Sequence, residues 1–441
     1  MRTAILSTVI LLLLGGQVWS QAKLAPATLA PPVVESNPGP PPMPLPAPDS
    51  GFGSAPRQLS RPVDNPPFAP PQFSPPDNSL FSVPEGGGPL GRSWGRVEYL
   101  LWWIKDSRIP PLITSSLRPS PRLDSPDTIV LVGDHIGNQD RSGARFTFGV
   151  ALDPDQVIGV EGSYFCLATR TTTLSAGATG LPDSAAIGLP FFDPFTLTEQ
   201  AQGVASPRFA SGVADVSAST RMQGAEVNGL FNLLSGPGYQ LDALAGFRYL
   251  ELDEGLQIAY VSNRPQVGGG VLVLGAADQF DGHNRFYGGQ VGLRGHFSRG
   301  PLFLDVAGKL ALGETVEVVR ISGLSRRSDP GTGETVQPGG TFALATNSGR
   351  FARGAFAVAP ELSLRLGVEL FGRARVFVGY NFLYLSEVAR PGDQMNRNVN
   401  LSQMPLSTRG DFFFGPPLPN FAFHGADFWA QGLLFGVEYR Y

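Results

Sequence analysis

The chain is short of cysteine, of lysine and of charge. One cysteine, Cys166, excludes internal disulfides, cysteine-rich zinc sites and a paired-thiol redox motif. Charged residues are 16% of the chain, against the ~25% of an average globular protein. Lysine plus arginine (33) fall below aspartate plus glutamate (37), so a net charge of −4 leaves no basic surface for a nucleic-acid backbone. The four histidines, His135, His283, His296 and His424, have no zinc-ligand spacing. Gly86-Gly87-Gly88 and Gly268-Gly269-Gly270 are not set between a strand and a helix, so neither is a phosphate-binding fingerprint. These absences predict no catalytic residues, no cofactor and no resident metal. What is present is glycine (55), proline (41) and phenylalanine (30) in 441 residues. That much glycine excludes a helical bundle, and so little charge excludes a disordered polyelectrolyte.

Residues 1–20 read as an export signal. Met1-Arg2 carries the positive charge, Ala4 to Gly16 is almost wholly apolar, and Val18-Trp19-Ser20 offers small residues for cleavage. The apolar run is shorter than the ~20 residues a membrane helix needs. No cysteine follows it, which excludes a lipid-anchored mature terminus. Residues 21–90 hold about half of the prolines, among them Pro40-Pro41-Pro42, Pro66-Pro67 and Pro70-Pro71. Such a stretch cannot bury enough apolar surface to offset its ordering entropy and reads as a disordered periplasmic tail.

From residue 91 to 441 the dominant signal is period-two alternation, the mark of strands with one apolar and one polar face. Val97, Tyr99, Leu101 and Trp103 oppose Glu98. Phe146, Phe148 and Val150 oppose Arg145 and Thr147, and Ile158, Val160 and Tyr164 oppose Glu161 and Ser163. The same holds for Leu241 to Tyr249 around Asp242 and Arg248, and for Val291 to Phe297 around Arg294 and His296. It holds again for Leu302 to Leu310 around Asp305 and Lys309, and for Leu362 to Val368 around Glu361, Arg365 and Glu369. Two last runs are Val376 to Tyr384 beside Arg375, and Leu433 to Tyr441 around Glu438 and Arg440.

A soluble sandwich also alternates, so the sorting of charge decides. Charged residues and most glycines share one face, while the other carries almost no charge away from strand ends. A lipid-facing exterior imposes this, because a charge there costs ~2–4 kcal/mol at the bilayer midplane. The predicted inward acids are Glu98, Glu161, Glu226, Asp242, Asp305, Glu361, Glu369 and Glu438. The predicted inward bases are Arg145, Arg248, Arg294, Lys309, Arg365, Arg375 and Arg440. Trp103, Tyr249, Tyr380, Tyr384, Trp429 and Tyr439 suit interfacial aromatic girdles, and terminal Tyr441 continues the apolar phase.

Connection lengths complete the fold class. Tight turns at Asp153-Pro154-Asp155, Ser235 to Gly238, Ser298 to Pro301 and Phe371-Gly372 alternate with long connections at about 106–142, 169–220, 251–284, 313–356 and 386–426. The expectation is an all-β, transmembrane, antiparallel up-and-down barrel of ten strands, with short periplasmic turns and long outer loops. Strands hidden near 256–262 or 338–346 would raise the number to twelve.

Residues Gly143 to Gly149, Gly159 to Phe165, Trp94 to Trp103, Phe247-Arg248-Tyr249-Leu250 and Phe428 to Leu433 together resemble one family. It is the family called putative beta-barrel porin, seventh of its series and of planctomycete type. The resemblance covers Trp94 to Tyr441 and implies an outer-membrane barrel, with no catalytic residues to carry over. It also implies outer-membrane lipid as a partner, and barrel-assembly machinery that reads the terminal strand. The tail and loops offer contacts for cell-wall or other envelope components. Two readings of the narrow interior stand side by side: a passive pore for small solutes and a plugged structural or surface-display barrel. A rim hydrolase built on Asp281 and His283, and a calcium site at Asp278, Asp281 and Asn284, are further candidates that turn chemistry and a solvated loop explain as well.

Overall fold

The computed structural model describes residues 93–137, 140–370, 373–405 and 413–441. The signal segment, the proline-rich tail and the Phe371-Gly372 turn lie outside the described residues. Fifteen strands are described: β1 (Ser93–Ile104), β2 (Ser107–Ser116), β3 (Thr128–Ile136), β4 (Arg141–Ala151), β5 (Ile158–Ala178), β6 (Ala186–Asp193), β7 (Thr198–Ala205), β8 (Ser211–Gly236), β9 (Tyr239–Pro265), β10 (Val271–Arg299), β11 (Leu302–Asp329), β12 (Gly333–Pro338), β13 (Gly349–Leu370), β14 (Ala374–Ala389) and β15 (Gly425–Arg440).

Ten of these close a barrel. Antiparallel neighbours run β10-β9-β8-β5-β4-β1-β15-β14-β13-β11, and β11 pairs back to β10 from Leu302↔Arg299 to Ser328↔Val273. The first and last strands meet in register, Trp94↔Arg440 to Ile104↔Ala430, so no barrel edge is left unpaired. Alternation places Val97, Phe146, Phe148, Val227, Phe247, Val291, Leu366 and Val437 on the exterior, each about half or more exposed.

This apolar belt has an outer boundary that side-chain chemistry marks. Tyr99 hydroxyl pairs with Ser142 Oγ at 2.8 Å, Tyr164 donates to Gln223 at 2.9 Å and Tyr380 donates to Gln431 at 2.7 Å. Tyr249 and Tyr287 pack ring to ring at 5.2 Å on the same level, and Trp429 pairs in register with Tyr384. Above them the exterior turns ionic, with Arg285 on Glu251 at 3.2 Å, and Lys105 paired with Asp427. At the other end, Tyr439 and Tyr441 meet edge to face beside the short turns. Trp103 lies on the same exterior face, 36% exposed. On β10 the belt runs from Tyr287 to Phe297; at ~3.4 Å per residue and a tilt of ~40° it rises roughly 25 Å, the height of a bilayer's apolar band.

The outer half differs from five long loops. The 251–284 segment is two continuous strands joined by a tight turn at 266–270, where Gly268, Gly269 and Gly270 all adopt positive φ. β8, β9, β10 and β11 are 26 to 29 residues long and continue far beyond the belt. Residues 256–262 belong to β9, and 338–346 form no strand beyond Pro338, so the barrel keeps ten strands. Two other connections supply a second sheet, β3-β2-β6-β7. Its Leu112, Ile113, Leu189, Phe191 and Val204 share one core with Ala214, Val216, Leu256, Ile258, Phe280 and Val319 of the barrel wall. The sheet therefore fills the outer vestibule that the long strands enclose.

An arginine at Val291, mid-belt, is expected to lower unfolding free energy by about 2–4 kcal/mol in lipid vesicles. The same change at Gln257, on the outer extension, should cost under about 1 kcal/mol. Urea titration of the refolded chain reads both.

Candidate functional site

The barrel interior gathers the titratable side chains, and it is layered. Nearest the short turns lies an ionic layer. Some of its pairs join neighbouring strands: Arg248 with Glu226 at 2.6 Å, Arg294 with Asp242 at 3.0 Å, His296 with Asp305 at 2.6 Å and Arg375 with Glu369 at 3.1 Å. Others cross the bore. Arg365 of β13 reaches Glu98 of β1 at 2.8 Å, and Arg294 of β10 reaches Glu161 of β5 at 2.9 Å. Arg145 of β4 reaches Glu361 of β13 at 3.4 Å, Arg248 meets the same carboxylate, and Lys309 meets Glu226. Arg440 bonds Glu438 at 2.9 Å at the open end. Asn381 donates to Glu361 at 2.8 Å, supplying one of the extra bonds a buried carboxylate requires.

Arg96 was not among the expected interior bases, although it shares the parity of Glu98. It is 5% exposed and lies 3.5 Å from Glu161 and 3.7 Å from Glu438. Trp94, one step nearer the mouth, donates from Nε1 to Glu161 at 3.3 Å.

Above the ionic layer the interior is apolar, which the sorting of charge did not foretell. Leu100, Trp102, Phe286 and Phe428 have no exposed surface, and Phe165, Met222, Leu250 and Leu383 pack with them. Arg145 caps this layer with its guanidinium 5.4 Å from the Trp102 ring and 5.6 Å from Phe165. The reason is geometric: a ten-stranded bore is filled by side chains, and inward positions without a charged partner are best filled with hydrocarbon. Leu100 and Trp102 also interrupt the apolar/polar rhythm as Leu100-Leu101-Trp102-Trp103, where periodicity sets Leu101 and Trp103 outward and leaves two apolar residues on the face expected to be polar.

A third layer closes the outer side. Arg390, beyond β14, forks onto Glu254 at 2.9 and 2.7 Å and donates to the carbonyl of Lys105 at 3.1 Å. Asn284 bonds both backbone groups of Ala389, at 3.1 and 2.7 Å. Asp278 accepts from the backbone N–H groups of Thr341, Phe342 and Ala343 at 3.0, 3.1 and 2.8 Å, fixing a wholly buried loop over the mouth. Burial pushes this carboxyl up to about 6 despite those donors.

The other candidates come apart. On β10, Asp278 and Asn284 point inward, and Asp281 points outward, so the three expected calcium ligands do not converge. Among the described residues no cluster of three or more metal-ligating side chains occurs. His283 also faces outward, 2.9 Å from Asp253, while Asp281 accepts from Gln279 at 2.6 Å. The pair thus lies on the outer wall, away from the lumen rim.

A closed antiparallel barrel with an apolar belt edged by tyrosines is a β-barrel protein of the outer membrane. More narrowly, the chain belongs to the family described as Putative beta barrel porin-7, whose model matches residues 94–441. Solved structures of outer-membrane proteins match the chain at low identity and low TM-score. The outer-membrane protease OmpT of Escherichia coli is 10% identical, with 80% of this chain and 97% of that chain covered and a TM-score of 0.34. A Pseudomonas aeruginosa FadL homologue is 8% identical, with 79% and 90% covered and a TM-score of 0.20. OmpT of Vibrio cholerae is 9% identical, with 79% and 97% covered and a TM-score of 0.13. No curated protein matches the chain.

Glu361→Gln should cost about 3–5 kcal/mol, since it leaves Arg145 and Arg248 buried without their shared carboxylate. Pairing Glu361→Leu with Arg248→Met should recover much of that loss in the same urea titration. For Asp278 the folded-state pKa is raised, so its stabilising contribution is complete below the unfolded value near 4 and is lost as pH rises through about 6. The melting temperature of the native protein relative to Asp278→Asn should therefore be higher at pH 5 than at pH 8.

Proposed function

We propose that the protein is a closed outer-membrane barrel that carries a rigid surface platform, and that it conducts little or nothing in this form. One observation carries the reading. Leu100, Trp102, Phe286 and Phe428 expose no surface, whereas side chains lining a solute path would be wetted. The outer half fits display: four strands of 26 to 29 residues lift a second sheet above the belt, with Leu117, Phe195, Leu197 and Phe209 more than half exposed. In this reading residues 1–20 export the chain, and the tail at 21–90 tethers it to cell-wall or other envelope components. Tyr441 ends the strand that the assembly machinery receives.

Passive passage of small solutes is the second reading, and membership of a family named for porins favours it. It requires the apolar layer to move aside. Neither reading assigns a catalytic role, and His283 pairs on the outer wall with Asp253 at 2.9 Å rather than with Asp281.

Planar-bilayer recording separates the two. The native chain, its insertion verified by a heat-modifiable gel band, should give no discrete conductance steps over many insertions. Regular steps from the native protein would establish the porin reading instead.

A further inference from the structure

We propose that the short-turn mouth of the barrel is a binding site for a neutral polyhydroxy solute the size of one monosaccharide. The proposal goes beyond the display reading and does not depend on conduction. A cavity of about 170 Å³ lies there, between the ionic layer and the periplasmic turns. That volume falls below the ~300 Å³ of pockets for drug-sized ligands. A single sugar ring fits this scale; an oligosaccharide does not.

Charge selects the ligand class. The cavity wall carries three guanidiniums, Arg96, Arg294 and Arg440, and three carboxylates, Asp242, Asp305 and Glu438. The two sets cancel, so the site concentrates neither anions nor cations. It does offer donors and acceptors side by side, which is what adjacent hydroxyls of a polyol require, each donating one bond and accepting others. Asn232 and Gln240 extend this mixed surface to the turn between β8 and β9.

An aromatic wall completes the site. Trp94 lines the cavity, and its ring lies against the backbone of Gly149, where a Cβ would fall 2.1 Å from Trp94 Cζ2. Its Nε1 is fixed on Glu161, so the indole is held before any ligand arrives.

Isothermal titration calorimetry of the full chain in detergent micelles tests this, with glucose, N-acetylglucosamine, glycine and inorganic phosphate as probes. At least one sugar should bind saturably, and glycine and phosphate should not. Trp94→Phe keeps an aromatic plane but loses the indole N–H, and should weaken the sugar about fivefold or more. Arg440→Ala removes a half-exposed guanidinium at the end of β15 and should weaken it similarly; a heat-modifiable band confirms that each variant is folded. Three results would overturn the proposal: no saturable sugar binding to the folded native protein, tighter binding of phosphate or glycine than of either sugar, or native sugar affinity in both folded variants.

Discussion

The bore of a ten-stranded barrel is too narrow to hold charge in water, and the rest of this structure follows from that constraint. An ionised side chain placed inside must find its counter-charge on another wall, because desolvation of an unpaired ion costs several kcal/mol. The interior acids and bases meet the requirement in two ways. Pairs such as Glu226–Arg248 form between register neighbours as soon as two strands align. Pairs such as Glu98–Arg365 and Glu161–Arg294 join strands three places apart in the ring, and the first spans the β1–β15 seam, so it forms only when the sheet has closed. Charge thus acts as a closure device, and the apolar layer above it needs no such partners.

The exterior obeys a second rule with the same backbone. Parity along β9 and β10 never slips, yet the outward residues change character at Tyr249 and Tyr287. Phe247 and Val291 lie below in hydrocarbon, and Glu251, Asp253, Arg285 and His283 above it pair with one another. One strand therefore crosses two solvents without a bulge between β9 and β10, and the tyrosine hydroxyls on Ser142, Gln223 and Gln431 mark the crossing. Such long strands must fill the space they enclose, which is why β6 and the Leu112 to Ser116 end of β2 in the second sheet are almost wholly buried.

Much of the barrel was legible in the sequence because lipid enforces a simple rule on it. Val97, Val291 and Leu366 announce the exterior, and tight turns such as Pro237-Gly238 set the strand count. Legibility failed where that rule is not in force. Above the belt both faces of a strand are mixed, so 251–284 reads as loop while forming two strands and a turn. Inside the bore, Leu100 and Trp102 are apolar on an inward face, and the charge-sorting rule that sets Leu101 and Trp103 toward lipid expects polar residues there. β2 contains Pro110-Pro111, which speaks against a strand, and its register shifts there rather than pairing through them. The Asp278 cradle joins residues sixty-odd positions apart, and no local pattern announces it.

Two kinds of interior layer in one bore have different consequences for opening it. The apolar layer is held by packing, and moving Trp102 or Phe286 outward would leave a void whose lining loses its contacts. The ionic layer is held by shared partners: Glu361 serves Arg145, Arg248 and Lys309 together, so displacing it takes a partner from three cations at once. A pore through this barrel would therefore have to dismantle the ionic layer cooperatively, whereas the apolar layer could yield one side chain at a time. The cavity at the short-turn mouth is walled by Arg96, Arg294 and Glu438, where the cooperative layer begins. Water and small solutes can thus reach the charges from one side without disturbing the closure those charges maintain.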